Sequence, residues 1–153
     1  MRLYSLALVF SLVTTPLIAG NISFVISSYE EGDDFQGNTV CRLGYSITNN
    51  TYGTIDRIRI NLDAWDDRGD DLTGIFSRSL DNYGREGRWT SIPVGSTSNF
   101  TMSETLRARC EFIARLRVRD VSPHNCSIRM LPEEANCTEI VSVVSEIEHI
   151  SVD

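Results

Sequence analysis

Acidic side chains form the densest chemical feature of this sequence. Asp63, Asp66, Asp67, Asp70 and Asp71 all lie within one short segment. Calcium takes roughly six to eight oxygen ligands, and a turn rich in carboxylates can supply several of them. The spacing differs from that of the common calcium-binding loop. The segment is therefore a calcium candidate, and equally a solvated hairpin end that keeps sheet edges from pairing.

The cysteines indicate disulfide chemistry. Cys41, Cys110, Cys126 and Cys137 are an even set, which predicts two disulfides in an oxidising compartment. Four cysteines allow three pairings, of which we favour Cys41–Cys110 with Cys126–Cys137. The first two each begin an apolar run, so a bridge would join two strands in the core, and the second two flank a short loop. The C-x-x-C spacing typical of zinc sites is missing.

No catalytic motif accompanies these residues. The two histidines, His124 and His149, have no neighbouring nucleophile motif such as G-x-S-x-G. We therefore predict neither enzymatic activity nor a cofactor.

Two further sets of residues bear on contacts and modification. Tyr52 and Tyr83 lie in predicted loops, which makes them the better candidates for contact with a partner. The sequence also holds five Asn-x-Ser/Thr sequons, which would be glycosylation sites in a eukaryote. They begin at Asn21, Asn49, Asn99, Asn125 and Asn136.

The first residues resemble an export signal. Arg2 precedes an apolar run at residues 3–13, and Ala19 offers a small residue for cleavage, with Gly20 as the alternative. We predict a signal peptide at residues 1–19 and one exported domain, periplasmic or extracellular, at residues 20–153. No later stretch is long enough to span a bilayer. The net charge of −7 makes nucleic acid a poor candidate partner.

Short strands should carry these residues. Side chains alternate between apolar and polar over residues 39–48 and 55–65, as in strands with one buried face. The predicted strands are residues 22–28, 39–48, 55–65, 72–80, 89–94, 98–102, 106–121 and 140–152. Many short strands with frequent turns predict an all-β fold, an immunoglobulin-like antiparallel β-sandwich. A short disulfide-pinned segment ends it, and residues 122–153 are a candidate appendage.

Three segments together resemble a family. Residues 45–51 (YSITNNT), 58–69 (IRINLDAWDDRG) and 92–100 (IPVGSTSNF) are similar in order and spacing to motifs of FxLYD-type domains. The resemblance covers residues 40–120. It implies an immunoglobulin-like sandwich in the cell envelope and implies no activity.

Function is less constrained than fold. The expected role is a non-catalytic secreted or periplasmic module that acts through contacts with an unknown protein partner. The first alternative is a small secreted hydrolase or inhibitor whose site forms only on folding. The second is a glycosylated eukaryotic cell-surface domain.

Overall fold

Eight strands and two short 3-10 turns account for the regular structure. The computed structural model describes residues 20–73, 78–84, 86–129 and 137–153, so the predicted signal peptide lies outside the described residues. The strands are β1 (Ile22–Asp33), β2 (Thr39–Asn49), β3 (Ile55–Asp66), β4 (Arg78–Asp81), β5 (Thr97–Thr101), β6 (Ile113–Ile128), β7 (Val141–Ser145) and β8 (Ser151–Val152). The 3-10 turns, Cys110–Phe112 and Cys137–Ile140, precede β6 and β7.

The strands form two four-stranded sheets that pack face to face. The first sheet has the order β5-β2-β1-β7, and the second has the order β4-β3-β6-β8. This arrangement confirms the predicted all-β sandwich. Pairing is antiparallel throughout except where β7 joins β1 and β8 joins β6, and those two pairings are parallel.

Alternation along the strands builds the core between the sheets. Phe24 and Ile26 of β1 face Ile58 and Ile60 of β3 as fully buried members of one apolar cluster. Burying a side chain of this size stabilises the fold by about 1.5–3 kcal/mol. Val25 and Arg59, the residues between them, are only partly buried, as the period of two requires.

The strand predicted over residues 106–121 differs from β6 at both ends. Residues 110–112 form a 3-10 turn, so β6 begins only at Ile113 and then continues to Ile128. Residues 122–125, which the sequence marked as a strand end, form a register shift opposite β3 between Val121 and Cys126. A proline is tolerated at a bulge because no ladder hydrogen bond is needed there.

The described residues of the candidate appendage, 122–129 and 137–153, contribute strands to both sheets. The predicted single strand at 140–152 is divided into β7 and β8, which join different sheets. Ile150 between them enters the core with 4% of its surface exposed. The chain therefore crosses from one sheet to the other along one side of the molecule.

Two disulfides lock this arrangement. Cys41 of β2 bonds to Cys110, just before β6, and joins the two sheets with 5.0 Å between the Cα atoms. Cys126 of β6 bonds to Cys137 before β7 and closes the C-terminal connection. These are the pairs favoured from the sequence.

Candidate functional site

The structure places Asp63 in an ion-pair cluster. This side chain lies on β3 with 7% of its surface exposed, opposite Arg117 on β6. Its carboxylate accepts hydrogen bonds from Arg117 Nη2 at 2.8 Å and from Arg119 Nε at 2.8 Å. The hydrogen bond from Arg119 lowers the pKa of Asp63. Its oxygens are thus committed to guanidinium groups.

Two other aspartates of the calcium candidate, Asp66 and Asp71, organise the turn after β3, where Asp67 and Asp70 are exposed. Asp66 Oδ1 accepts the backbone N–H groups of Arg68 and Asp70, and Gly69 takes a positive φ of 88°. Asp71 Oδ1 accepts the N–H of Thr73 at 2.7 Å. Among the described residues, no three His, Cys, Asp or Glu side chains converge as metal ligands would. The segment is a hydrogen-bonded hairpin end.

Trp65 extends the ion-pair cluster along the outer face of the second sheet. The guanidinium carbons of Arg115 and Arg117 lie 4.4 and 5.1 Å from its ring centre. Arg117 and Arg119 then flank Asp63. Cation–π contacts of this kind contribute about 0.5–1 kcal/mol each at exposed positions. These contacts tie the outer face of β3 to that of β6.

The sequons fall in different environments. Asn49 is fully buried, and its amide nitrogen donates to the carbonyl oxygens of Gly53 and Ile92. Its role is therefore structural, since a folded chain offers no access to it. Asn21 and Asn99 are exposed.

An elongated groove lies between β5 and the loop that follows β4. Its main part has a volume of about 800 Å³ and is lined on one side by residues 98–101 and on the other by residues 83, 84, 86 and 88–91. A second part of about 420 Å³ continues past Tyr83 to Ser103. Tyr83 was a contact candidate from the sequence, and 40% of its surface is exposed here.

Aromatic rings form the wall of this groove opposite β5. Tyr83 and Trp89 meet edge to face with their centroids 5.3 Å apart. The guanidinium carbon of Arg59 lies over the Trp89 ring, 5.4 Å from its centre. The Tyr83 hydroxyl donates to the carbonyl of Gly87 at 2.6 Å. These contacts hold the two rings in place without help from β5.

The edge of β5 is open along this groove. β5 pairs with β2 on one side only, because it is the terminal strand of its sheet. The Asn49 N–H donates to Ser96 O and the Met102 N–H donates to Leu43 O, which fixes the phase of the ladder. Backbone groups alternate in direction along an antiparallel strand, so those of Thr97, Asn99 and Thr101 point into the groove.

The neighbouring edge, that of β4, is closed. Tyr45 projects from β2, and its hydroxyl accepts the backbone N–H of Asp81 at 2.8 Å while donating to the Asp81 carbonyl at 2.7 Å. One buried hydroxyl thereby satisfies both outward groups of that residue. At Asp81, therefore, β4 has no free outward backbone group, whereas β5 borders the groove with outward backbone groups that have no backbone partner among the described residues.

The candidate histidines lie apart from the groove. His124 and His149 are both exposed, and His149 lies with Nε2 3.2 Å from the Cys110 carbonyl, near the first disulfide. Neither lines either part of the groove. No local sequence signal marks β5 as a site, because its position at the edge of the sheet depends on the lateral order of the strands.

Within the described residues, no helix has the length and apolar character needed to cross a membrane.

Comparisons with known proteins do not assign the chain to a family. No family model, no curated protein and no solved structure matches the chain.

Proposed function

We propose that this chain is exported and that its folded domain is a non-catalytic module that binds a segment of another protein. The observation that carries the proposal is the groove between β5 and the Tyr83–Trp89 wall. Binding sites of this kind combine exposed aromatic rings with a few polar groups that fix orientation. The open backbone of β5 supplies such groups.

Export is supported by the disulfides and by the first residues of the chain. Two disulfides and no free cysteine among the described residues fit an oxidising compartment. Expression of the full chain in a secreting host should yield a protein that begins at Gly20 or Asn21. Mass spectrometry of the N-terminal peptide measures this, and a retained Met1 on the secreted protein would contradict it.

Binding is tested with an array of uncharged peptides of about seven residues, because an extended segment of that length fills the groove. The disulfide-bonded protein should bind a subset of these peptides, and Trp89→Ala should weaken the best of them by about tenfold. Tyr52→Ala is the matched control, since Tyr52 is exposed but lies outside the groove. Equal affinity of both variants and the unaltered protein would refute the groove as the site.

The same array separates binding from hydrolysis. Mass spectrometry of peptides recovered after long incubation should show intact chains. Cleavage that disappears in a groove variant would replace the proposal with the hydrolase alternative.

A further inference from the structure

We infer that the partner segment binds as an added β-strand, hydrogen-bonded to the backbone of β5, and this inference rests on the proposed function. The ligand class is an extended, uncharged polypeptide segment in which apolar and small polar side chains alternate. Strand addition to an exposed sheet edge draws affinity from the main chain and specificity from alternate side chains.

The first step of the argument is the supply of backbone groups. Three N–H and three C=O groups of β5 point toward the groove, because the hydrogen bonds to β2 use the alternate residues. They belong to Thr97, Asn99 and Thr101. No described backbone group bonds to any of them. Their span of about 14 Å, at roughly 3.4 Å per residue, matches a strand of five residues.

The second step concerns the loop across the groove. Its backbone hydrogen bonds are internal or return to residue 82: the Gly84 N–H donates to Arg88 O, and the Thr90 N–H donates to Asn82 O. The loop therefore borders the edge of β5 without pairing to it. An added strand would lie about 4.8 Å from β5, on the side of the strand that the aromatic wall borders.

The same loop argues for a peptide over a second copy of this chain. A copy that approached through its own β5 would bring its own Tyr83–Trp89 wall into the space beside the first. A single extended segment carries no such wall. The commitment to a peptide follows from this crowding.

The third step gives the side-chain pattern. The Phe100 side chain turns toward the interior, where its ring centre lies 6.0 Å from that of Tyr45. The Thr97 side chain turns outward, and its Oγ1 lies 2.8 Å from Oγ1 of Thr48. Side chains of an added strand alternate in the same way. Every second one therefore meets the rings of Phe100, Tyr83 and Trp89, and the others lie beside threonine and asparagine.

Charge sets the last requirement. Glu86 and Arg88 in the main part of the groove pair with each other at 2.5 Å. Glu30 and Arg42 line the second part and lie opposite each other in the pairing of β1 with β2, so the charges along the groove come in opposite pairs. A charged peptide side chain gains little from a pair that is already neutral. An uncharged segment is the better complement.

The test uses the best-binding array peptide as probe and a matched pair of variants. Asn99→Pro removes an N–H that points into the groove and leaves the bonds to β2 intact, since proline is tolerated on edge strands. Asn99→Thr keeps the N–H. Titration calorimetry should show an affinity loss of about tenfold or more for the proline variant and less than about twofold for the threonine variant.

A backbone scan of the probe gives a second readout that needs no variant. N-methylation at successive peptide positions should weaken binding at every second position only, because alternate N–H groups face β5. Should the proline variant fail to fold, this scan decides. A scan without a two-residue period would overturn strand addition.

The outcomes separate the inference from the proposed function. If Asn99→Pro binds normally while Trp89→Ala loses affinity, the groove binds peptides by side chains alone and strand addition is wrong. If neither variant loses affinity, the proposed site itself is wrong. A dimer in sedimentation that Asn99→Pro dissolves would replace the peptide with a second copy of the chain.

Discussion

Replacing Tyr45 with phenylalanine isolates the hydroxyl that closes the edge of β4. That hydroxyl makes two hydrogen bonds to one residue, accepting from Asp81 N–H and donating to Asp81 C=O. Tyr45 and Asp81 are 3% and 4% exposed, so water has no route to replace the lost oxygen. The ring contacts with Phe24 and Phe100 stay in place.

The magnitude follows from the two backbone groups left without a partner. A buried donor or acceptor that loses its partner costs about 1–3 kcal/mol. With two such groups on Asp81, Tyr45→Phe should lower the free energy of unfolding by about 2–4 kcal/mol. Tyr29→Phe is the matched control, because the Tyr29 side chain is half exposed, and it should change stability by less than about 0.5 kcal/mol.

The assay is urea unfolding of the disulfide-intact protein, followed by tryptophan fluorescence. The midpoint should fall while the slope with urea stays constant, because the same surface is exposed on unfolding. A loss below about 1 kcal/mol, or a loss matched by Tyr29→Phe, would refute the closed edge. Either result would mean that the Asp81 backbone finds other partners.

The pH dependence gives an independent check on the same residue. Burial raises the pKa of Tyr45 above its ordinary value. The unfolded chain ionises near pH 10, so the contribution of Tyr45 is fully present below about pH 10 and is lost as the pH rises. The free energy of unfolding should therefore fall less steeply above about pH 10 in Tyr45→Phe than in the unaltered protein. An unchanged alkaline slope would contradict the assignment.

Three further predictions concern the elements that hold the sandwich together. Replacing Cys41 and Cys110 together by alanine should lower the free energy of unfolding by about 4 kcal/mol, since this disulfide spans 69 residues of sequence. If removing the shorter disulfide, Cys126–Cys137, lowered it by as much, the first disulfide would not act as a clamp between the sheets. The hydrogen bond from Arg119 lowers the pKa of Asp63 in the folded protein. Asp63 therefore stabilises the fold fully above about pH 4, and this stabilisation is lost as the pH falls further. Asp63→Asn should therefore flatten the acid limb of a stability–pH curve, and an unaltered limb would exclude that ion pair. Asn49→Ala leaves buried carbonyls unpaired and should cost about 2–4 kcal/mol in thermal or urea unfolding, whereas a loss below about 1 kcal/mol would show that they find other partners.

Local patterns predicted the strands that lie flat against the core. The alternation over residues 39–48 predicts one buried face, and its apolar members Cys41, Leu43, Tyr45 and Ile47 are all buried in β2. That success has a local cause, because a two-residue period reports burial without reference to distant residues. β1 was predicted too short. Residues 29–33 are charged or exposed, yet they continue the strand by pairing with β2.

Sequence signals failed where tertiary contacts override them. The Ser122-Pro123 pair is a normal terminator, but β3 holds the chain in register on both sides of the irregularity. The acidic segment similarly offered ligands for calcium, and two arginines on β6 claim Asp63 instead. Neither partner is near in sequence, so neither outcome can be read from a local window.

The amino-acid sequence alone predicted the all-β class and the buried faces of β2 and β3, because both depend on residue type and a two-residue period. It favoured the cysteine pairing that the structure shows but left the other two pairings open. Only the tertiary structure decided which strands lie at the edges of the sheets. Tyr45 of β2 closes the edge of β4, while nothing in the described chain pairs with the groove side of β5. Lateral strand order arises from contacts between residues far apart in sequence, and it is this order that creates the proposed site.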